Sequence, residues 1–145
     1  MRTYPVGLVP GPVSVEKRHL DRYAENFGSA DLEKDFFELY EAVEAQLKSF
    51  LLASNQSVVT MSGEGMLALW ASLKSVLRPG DRVLCVVNGL FSEGFAEMSS
   101  SLGADVRSVC AAFNDIPDFE KVREEALSFR PSLITAVHCE TPSGT

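Results

Sequence analysis

Arg82-Val83-Leu84-Cys85-Val86-Val87, stopped by Asn88-Gly89, is the stretch on which the fold turns. An unbroken apolar run rich in valine lacks the polar alternation of a strand with one wet face, and it is too short for a buried helix. It reads as a strand buried on both faces, as in a parallel sheet covered by helices. The same alternation continues in both directions. Upstream, Met66, Leu69, Trp70, Leu73, Val76 and Leu77 share one helical face, and Arg78-Pro79-Gly80-Asp81 turns the chain into the strand. Ahead of that helix, Ser57–Met61 reads as a short β-branched strand broken by Ser62-Gly63-Glu64-Gly65. Downstream, Phe91, Phe95, Met98 and Leu102 mark a helix stopped by Gly103, and Asp105–Cys110 is a third strand. Phe119, Val122, Ala126 and Phe129 mark one more helix, and Leu133–Val137 a last strand. Strands and helices in strict alternation predict an α/β fold, a three-layer sandwich around a mostly parallel sheet with right-handed crossovers.

Further out, Leu32, Phe36, Leu39, Tyr40, Val43, Leu47, Phe50 and Leu51 form an apolar stripe, so Asp31–Ala53 reads as a long amphipathic helix with Ser29 as its cap. The opening Met1–Ser14 holds three prolines, which interrupt any apolar helix, and no small-residue cleavage site follows. No secretory signal is read there. Cys85, Cys110 and Cys139 match neither a zinc pattern nor a redox pair. They read as buried small hydrophobes in a reducing compartment, and an intracellular protein, cytoplasmic or organellar, is expected.

The chain has 145 residues, 46% hydrophobic and 23% charged, which excludes a disordered or fibrous class and allows a core without disulfides. A net charge of -7 argues against a polyanion partner such as nucleic acid. No apolar run approaches the roughly 20 residues that span a bilayer, so no membrane role is expected. The sequence ends on His138-Cys139-Glu140-Thr141-Pro142-Ser143-Gly144-Thr145, a polar loop directly after a strand, where a piece of a larger protein is the expectation.

In open α/β sheets ligands bind beyond the carboxyl ends of the strands, which singles out three loops. Ser62–Met66 places two glycines before a helix, where backbone N–H groups can converge on an anion; it also serves as a plain tight turn. It is neither a P-loop nor a dinucleotide fingerprint. Asn88–Phe91 places an aromatic ring at a strand end, either as core or as a stacking platform. His138–Thr145 is rich in polar groups, but no nucleophile elbow accompanies it, so a hydrolase is not expected.

Five segments occur in order: Leu8-Val9-Pro10-Gly11-Pro12-Val13, Ser62-Gly63-Glu64-Gly65-Met66, Arg78-Pro79-Gly80-Asp81, Val87-Asn88-Gly89-Leu90-Phe91 and His138-Cys139-Glu140-Thr141-Pro142-Ser143-Gly144. Together they resemble the class V aminotransferases, fold-type-I pyridoxal-phosphate enzymes that include alanine–glyoxylate, serine–pyruvate and aminoethylphosphonate transaminases. The resemblance implies the N-terminal part of the large domain, with residues 1–30 as an arm and substrate-side loop and residues 31–145 as a partial cofactor-binding domain. It implies pyridoxal 5'-phosphate as cofactor, with Gly63, Glu64, Gly65 and Met66 as its phosphate cradle, although Glu64 stands where the family has a small hydroxyl. Phe91 would stack on the pyridine ring, Thr141 would contact the ring's hydroxyl region, and Pro10, Gly11 and Pro12 would line the substrate side.

The resemblance further implies a homodimer and an exchange of amino groups between a small amino acid and a 2-oxo acid. The family's Schiff-base lysine and pyridinium-binding aspartate match no position here, since Lys17, Lys34, Lys48, Lys74 and Lys121 stand outside the five segments. No catalytic residue is therefore assigned within the chain. Two rivals stand beside this reading: a lyase or desulfurase of the same fold, and a non-catalytic truncated or split chain that binds a partner or a phosphate ligand.

Overall fold

The structure, a computed structural model, describes residue 11 and residues 13–26, 28–53 and 55–145. Residues Glu64–Thr145 fall in one compact unit, and Ser14–Gly63 form another.

Within Ser14–Gly63, a short helix α1 (Lys17–Leu20) runs into a 3-10 turn, Asp21–Ala24, and the long helix α2 spans Lys34–Phe50. The apolar stripe of α2 is narrower than its sequence suggests. Phe36, Tyr40, Val43 and Leu47 are half-buried, whereas Leu39 and Phe50, on the flanks of that line, are exposed. Ser29 does not cap the helix. Its carbonyl accepts the N–H groups of Leu32 and Glu33 in a preceding turn, and Glu33 takes the N-cap position. The strand expected at Ser57–Met61 is likewise not formed. The Tyr40 hydroxyl donates to the Thr60 carbonyl at 2.7 Å and accepts the Thr60 N–H at 3.2 Å. One side chain thus satisfies backbone groups that a ladder would otherwise pair.

Glu64–Thr145 holds the α/β core: α3 (Gly65–Val76), β1 (Arg82–Val87), α4 (Leu90–Ser101), β2 (Asp105–Cys110), α5 (Phe119–Phe129) and β3 (Leu133–Thr135). The three strands form a parallel sheet in the order β2-β1-β3. β1 is central, with Arg82 opposite Asp105 on one side and Val83 opposite Leu133 on the other. Its place explains its composition: Val83, Leu84 and Cys85 have no exposed surface because strands flank them and helices cover both faces. The chain enters this strand through a turn in which Gly80 adopts φ +87 and the Asp81 carboxylate accepts the Arg78 N–H at 2.7 Å.

The chain leaves β1 for β2 on one side and returns across it to β3 on the other. Right-handed crossovers then place α4 and α5 on opposite faces of the sheet, giving three layers. On the α5 face, Leu84, Val109 and Phe129 form the buried cluster, with Val122 and Ala126 packed against it. Arg107 closes this cluster from above, its guanidinium 4.4 Å from the centre of the Phe129 ring and 3.2 Å from Glu125. Phe119, expected in the same stripe, is exposed at the first position of α5; Asp118 next to it caps the helix by accepting the Glu120 and Lys121 N–H groups. In α3 only Leu73 of the expected apolar face is fully buried, and Val76 is exposed. β3 is shorter than its sequence run, because beyond Thr135 the chain leaves the ladder toward the amino end of α4.

The three cysteines do not share the buried environment expected of them. Cys85 lies inside the central strand, while Cys110, on β2 at the sheet's edge among the described residues, and Cys139, in a loop, are exposed. Burial pushes the Cys85 thiol above its ordinary value, and a hydrogen bond with Thr135 offsets this only in part. In an alkylation time course on the native chain, Cys110 and Cys139 are expected to react readily and Cys85 only after unfolding. Leu84→Ala should lower the unfolding free energy by about 2–5 kcal/mol in a urea titration, since it opens a cavity beneath Phe129.

Candidate functional site

The order β2-β1-β3 reverses direction at β1, and such a switch point opens a crevice outside the carboxyl ends of the strands. Two loops flank it here: Asn88-Gly89, leading from β1 into α4, and residues 136–145, following β3. They are joined by a side chain that the sequence did not single out. Glu140 has no exposed surface, and its carboxylate sits on the amino end of α4. Oε1 accepts the Phe91 N–H at 2.9 Å, while Oε2 accepts the Ser92 N–H and the Ser92 hydroxyl, each at 2.9 Å.

Ser92 completes the arrangement. Its Oγ accepts the N–H groups of Asn88 at 3.0 Å and Gly89 at 2.9 Å, so the hydroxyl is fully used when its proton goes to Glu140. This is a capping box with one half imported: Ser92 at the third helical position bonds back to the N-cap amide, and a distant glutamate replaces the side chain that Gly89 lacks. Gly89 has to be small for this reason. A Cβ there would lie 2.6 Å from Glu140 Cδ, inside any real contact distance. The buried negative charge is stabilised by its three donors and by the positive end of the helix dipole.

Below Glu140 the chain closes on itself. The Glu140 N–H donates to the Thr145 carbonyl at 2.7 Å, and the Gly144 N–H donates to the Glu140 carbonyl at 2.8 Å. Cys139, just before it, is left-handed with φ +72, a backbone setting that turns the chain at this point. Thr141 lies half-buried inside the closed turn, next to the residue that grips α4.

The third loop behaves differently. Glu64 is the N-cap of α3, yet its side chain makes no capping hydrogen bond. Gly65 follows with open space where a Cβ would stand. The amino ends of α4 and α5 are taken by Glu140 and Asp118; that of α3 carries no side-chain cap. Such an end is suited to an anion supplied from outside.

The residues expected at the site fall as follows. Gly65 and Met66 open α3, Phe91 is the second residue of α4, and Thr141 belongs to the turn after β3. Glu64 is exposed, and Phe91 and Met66 are half-buried. Gly63 ends the other compact unit. Pro10 and Pro12 lie outside the described residues, and Gly11 is half-buried. A cavity of about 310 Å³ lies on the β2 side of the switch point, lined by Asn88, Gly89, Leu90, Glu93, Ala111 and Phe113 among others. It does not include Phe91 or Thr141, and the loop that carries Glu140 comes from the β3 side instead. No described helix is long and apolar enough to cross a membrane.

Glu140 and Ser92 left one trace in the sequence. A glycine at an N-cap offers no side chain to the helix, so the cap has to come from elsewhere in the chain or from solvent. Which residue supplies it depends on a contact across 48 positions, beyond the reach of local pattern.

No family model matches the chain. It is 27% identical over 137 residues to alanine–glyoxylate aminotransferase of Callithrix jacchus, a match covering 94% of this chain and 33% of that protein. It is 27% identical over 147 residues to 2-aminoethylphosphonate–pyruvate transaminase of Pseudomonas putida (strain W619), covering 99% of this chain and 39% of that protein. Among solved structures, alanine–glyoxylate aminotransferase from Nostoc sp. matches with a TM-score of 0.83 at 25% identity, over 99% of this chain and 40% of that one. The chain therefore spans well under half the length of these proteins. By sequence and by fold, the chain is similar to aminotransferases over nearly its whole length.

Proposed function

We propose that this chain forms part of the cofactor-binding domain of a pyridoxal-phosphate-dependent aminotransferase acting between a small amino acid and a 2-oxo acid. The observation that carries the reading is the uncapped, glycine-led amino end of α3, in a fold whose relatives are aminotransferases. The residues present fit the cofactor. The first amides of α3 are free of any side-chain cap, and Gly65 leaves room in front of them.

In this reading the N–H groups of Gly65 and Met66 hold the phosphate, helped by the helix dipole at about 0.3–1 kcal/mol. Gly63 and Glu64 complete the cradle through their backbone. The Glu64 side chain is exposed to solvent. Phe91 would stack on the pyridine ring, a contact worth about 0.5–1.5 kcal/mol beyond its area. The Thr141 hydroxyl would contact the ring's hydroxyl region, and Pro10, Gly11 and Pro12 would line the substrate side. When bound, pyridoxal phosphate supplies an electron sink for the amino acid's α-carbon.

None of the five lysines is assigned a covalent role: Lys17, Lys34 and Lys121 are engaged in exposed ion pairs, and Lys48 and Lys74 lie on α2 and α3. The residues of this chain bind and orient; they do not move the substrate's proton. We further propose residues 1–30 as an arm, residues 31–145 as a partial large domain, and a homodimer as the working assembly.

Equilibrium dialysis of the chain against pyridoxal phosphate tests the reading. Weak, reversible binding is expected, displaced by inorganic phosphate and weakened about two- to tenfold by Phe91→Ala. Lys74→Ala should leave it unchanged, borohydride should fix the cofactor to no lysine, and no amino transfer from alanine to glyoxylate should occur. Absence of binding, or binding indifferent to phosphate, would overturn the cradle. Amino transfer abolished by a single Lys→Ala change would overturn the division of labour.

A further inference from the structure

We infer that Glu140 is a positioning residue for Phe91, tying the ring-stacking side of the site to the loop that carries Thr141; the inference rests on the cofactor reading above. Capping α4 for stability alone needs nothing so distant. Asp118 caps α5 from the adjacent position, and a serine or aspartate at position 89 would do the same for α4. Position 89 is instead a glycine, with Glu140 Cδ 2.6 Å from where its Cβ would stand. The cap is thereby handed to a residue on the far side of the switch point.

The consequence is geometric. Through its side chain Glu140 holds the Phe91 N–H at 2.9 Å, and through its main chain it closes the turn that contains Thr141, with bonds of 2.7 and 2.8 Å. Phe91, in the first turn of α4, and Thr141, in the loop after β3, lie 50 positions apart in sequence, and both backbones refer to this one residue. No ion pair of Glu140 is found among the described residues, so helix amides and the Ser92 hydroxyl balance the buried charge. Such a carboxylate is ill suited to wander: any shift that breaks its bonds leaves both charge and amides unpaired. The first turn of α4 is held to the β3 loop accordingly, and with it the base of the Phe91 side chain.

The test is a double-mutant cycle in the 145-residue chain, read by pyridoxal phosphate affinity and by the induced circular dichroism of the bound cofactor. Glu140→Gln keeps the size of the side chain but turns an amide NH2 toward donors. It is expected to weaken binding about tenfold and to reduce the induced signal. If Glu140 acts through Phe91, Glu140→Gln added to Phe91→Ala weakens binding by less than about a further twofold. A merely structural role would make the two factors multiply. It would also weaken the binding of inorganic phosphate, which reports on the α3 amides and is expected to stay unchanged. Should Glu140→Gln fail to fold, Ser92→Ala removes one of the three donors to Glu140, together with the acceptor of the Asn88 and Gly89 N–H groups, and the same cycle with Phe91→Ala decides. Multiplying factors, or an affinity unchanged by both variants, would overturn the positioning role while leaving the cofactor reading intact. A wild-type chain that binds no pyridoxal phosphate would overturn both.

Discussion

A carboxylate without exposed surface, held by two backbone amides and one hydroxyl at the start of a helix, constrains everything around it. Glu140 cannot occupy that place unless Gly89 has no side chain, Ser92 stands at the third helical position, and the chain after β3 turns back toward α4. Two requirements fall at the start of α4 and the third on the loop after β3, and losing any one leaves a buried charge or a buried amide without a partner. That penalty is large beside the few kcal/mol by which domains are stable. The loops at the carboxyl ends of β1 and β3 are therefore one structural object, although far apart in sequence.

The sheet makes this possible. With β1 central and β2 and β3 on its two sides, the chain reverses its direction of travel at the strand that feeds α4. The loop after β3 turns back to the start of α4, and Glu140 bridges the two. The helices differ in a complementary way. α4 and α5 have their first amides satisfied by carboxylates of the chain, whereas α3, opened by Gly65, has no side-chain cap. One helix end is stabilised internally and another is left with amides to offer, a division that suits a phosphate at the second and a fixed aromatic at the first.

Much of this was legible in the residues. The apolar run of β1, the glycine turns at Gly80 and Gly103 and the helical spacing of Met98, Val122, Ala126 and Phe129 are local facts, and the elements they imply are present. Ser57–Met61 misled because β-branched residues describe willingness to be a strand, while a ladder needs a neighbour; the Tyr40 hydroxyl took the Thr60 backbone instead. Cys110 and Cys139 misled because apolar character does not state which strand becomes an edge or where a loop turns.

Sequence by itself determined the alternation of strands and helices, the two-sided burial of the most apolar strand, and the glycine-led start of α3, because backbone preference and apolar periodicity act over a few residues. Only the tertiary structure decided that Glu140, 48 positions from Ser92, would cap α4 and set Phe91 and Thr141 on one anchor. A hydrogen bond between remote segments depends on the order in which the strands pair, and no local pattern encodes that order.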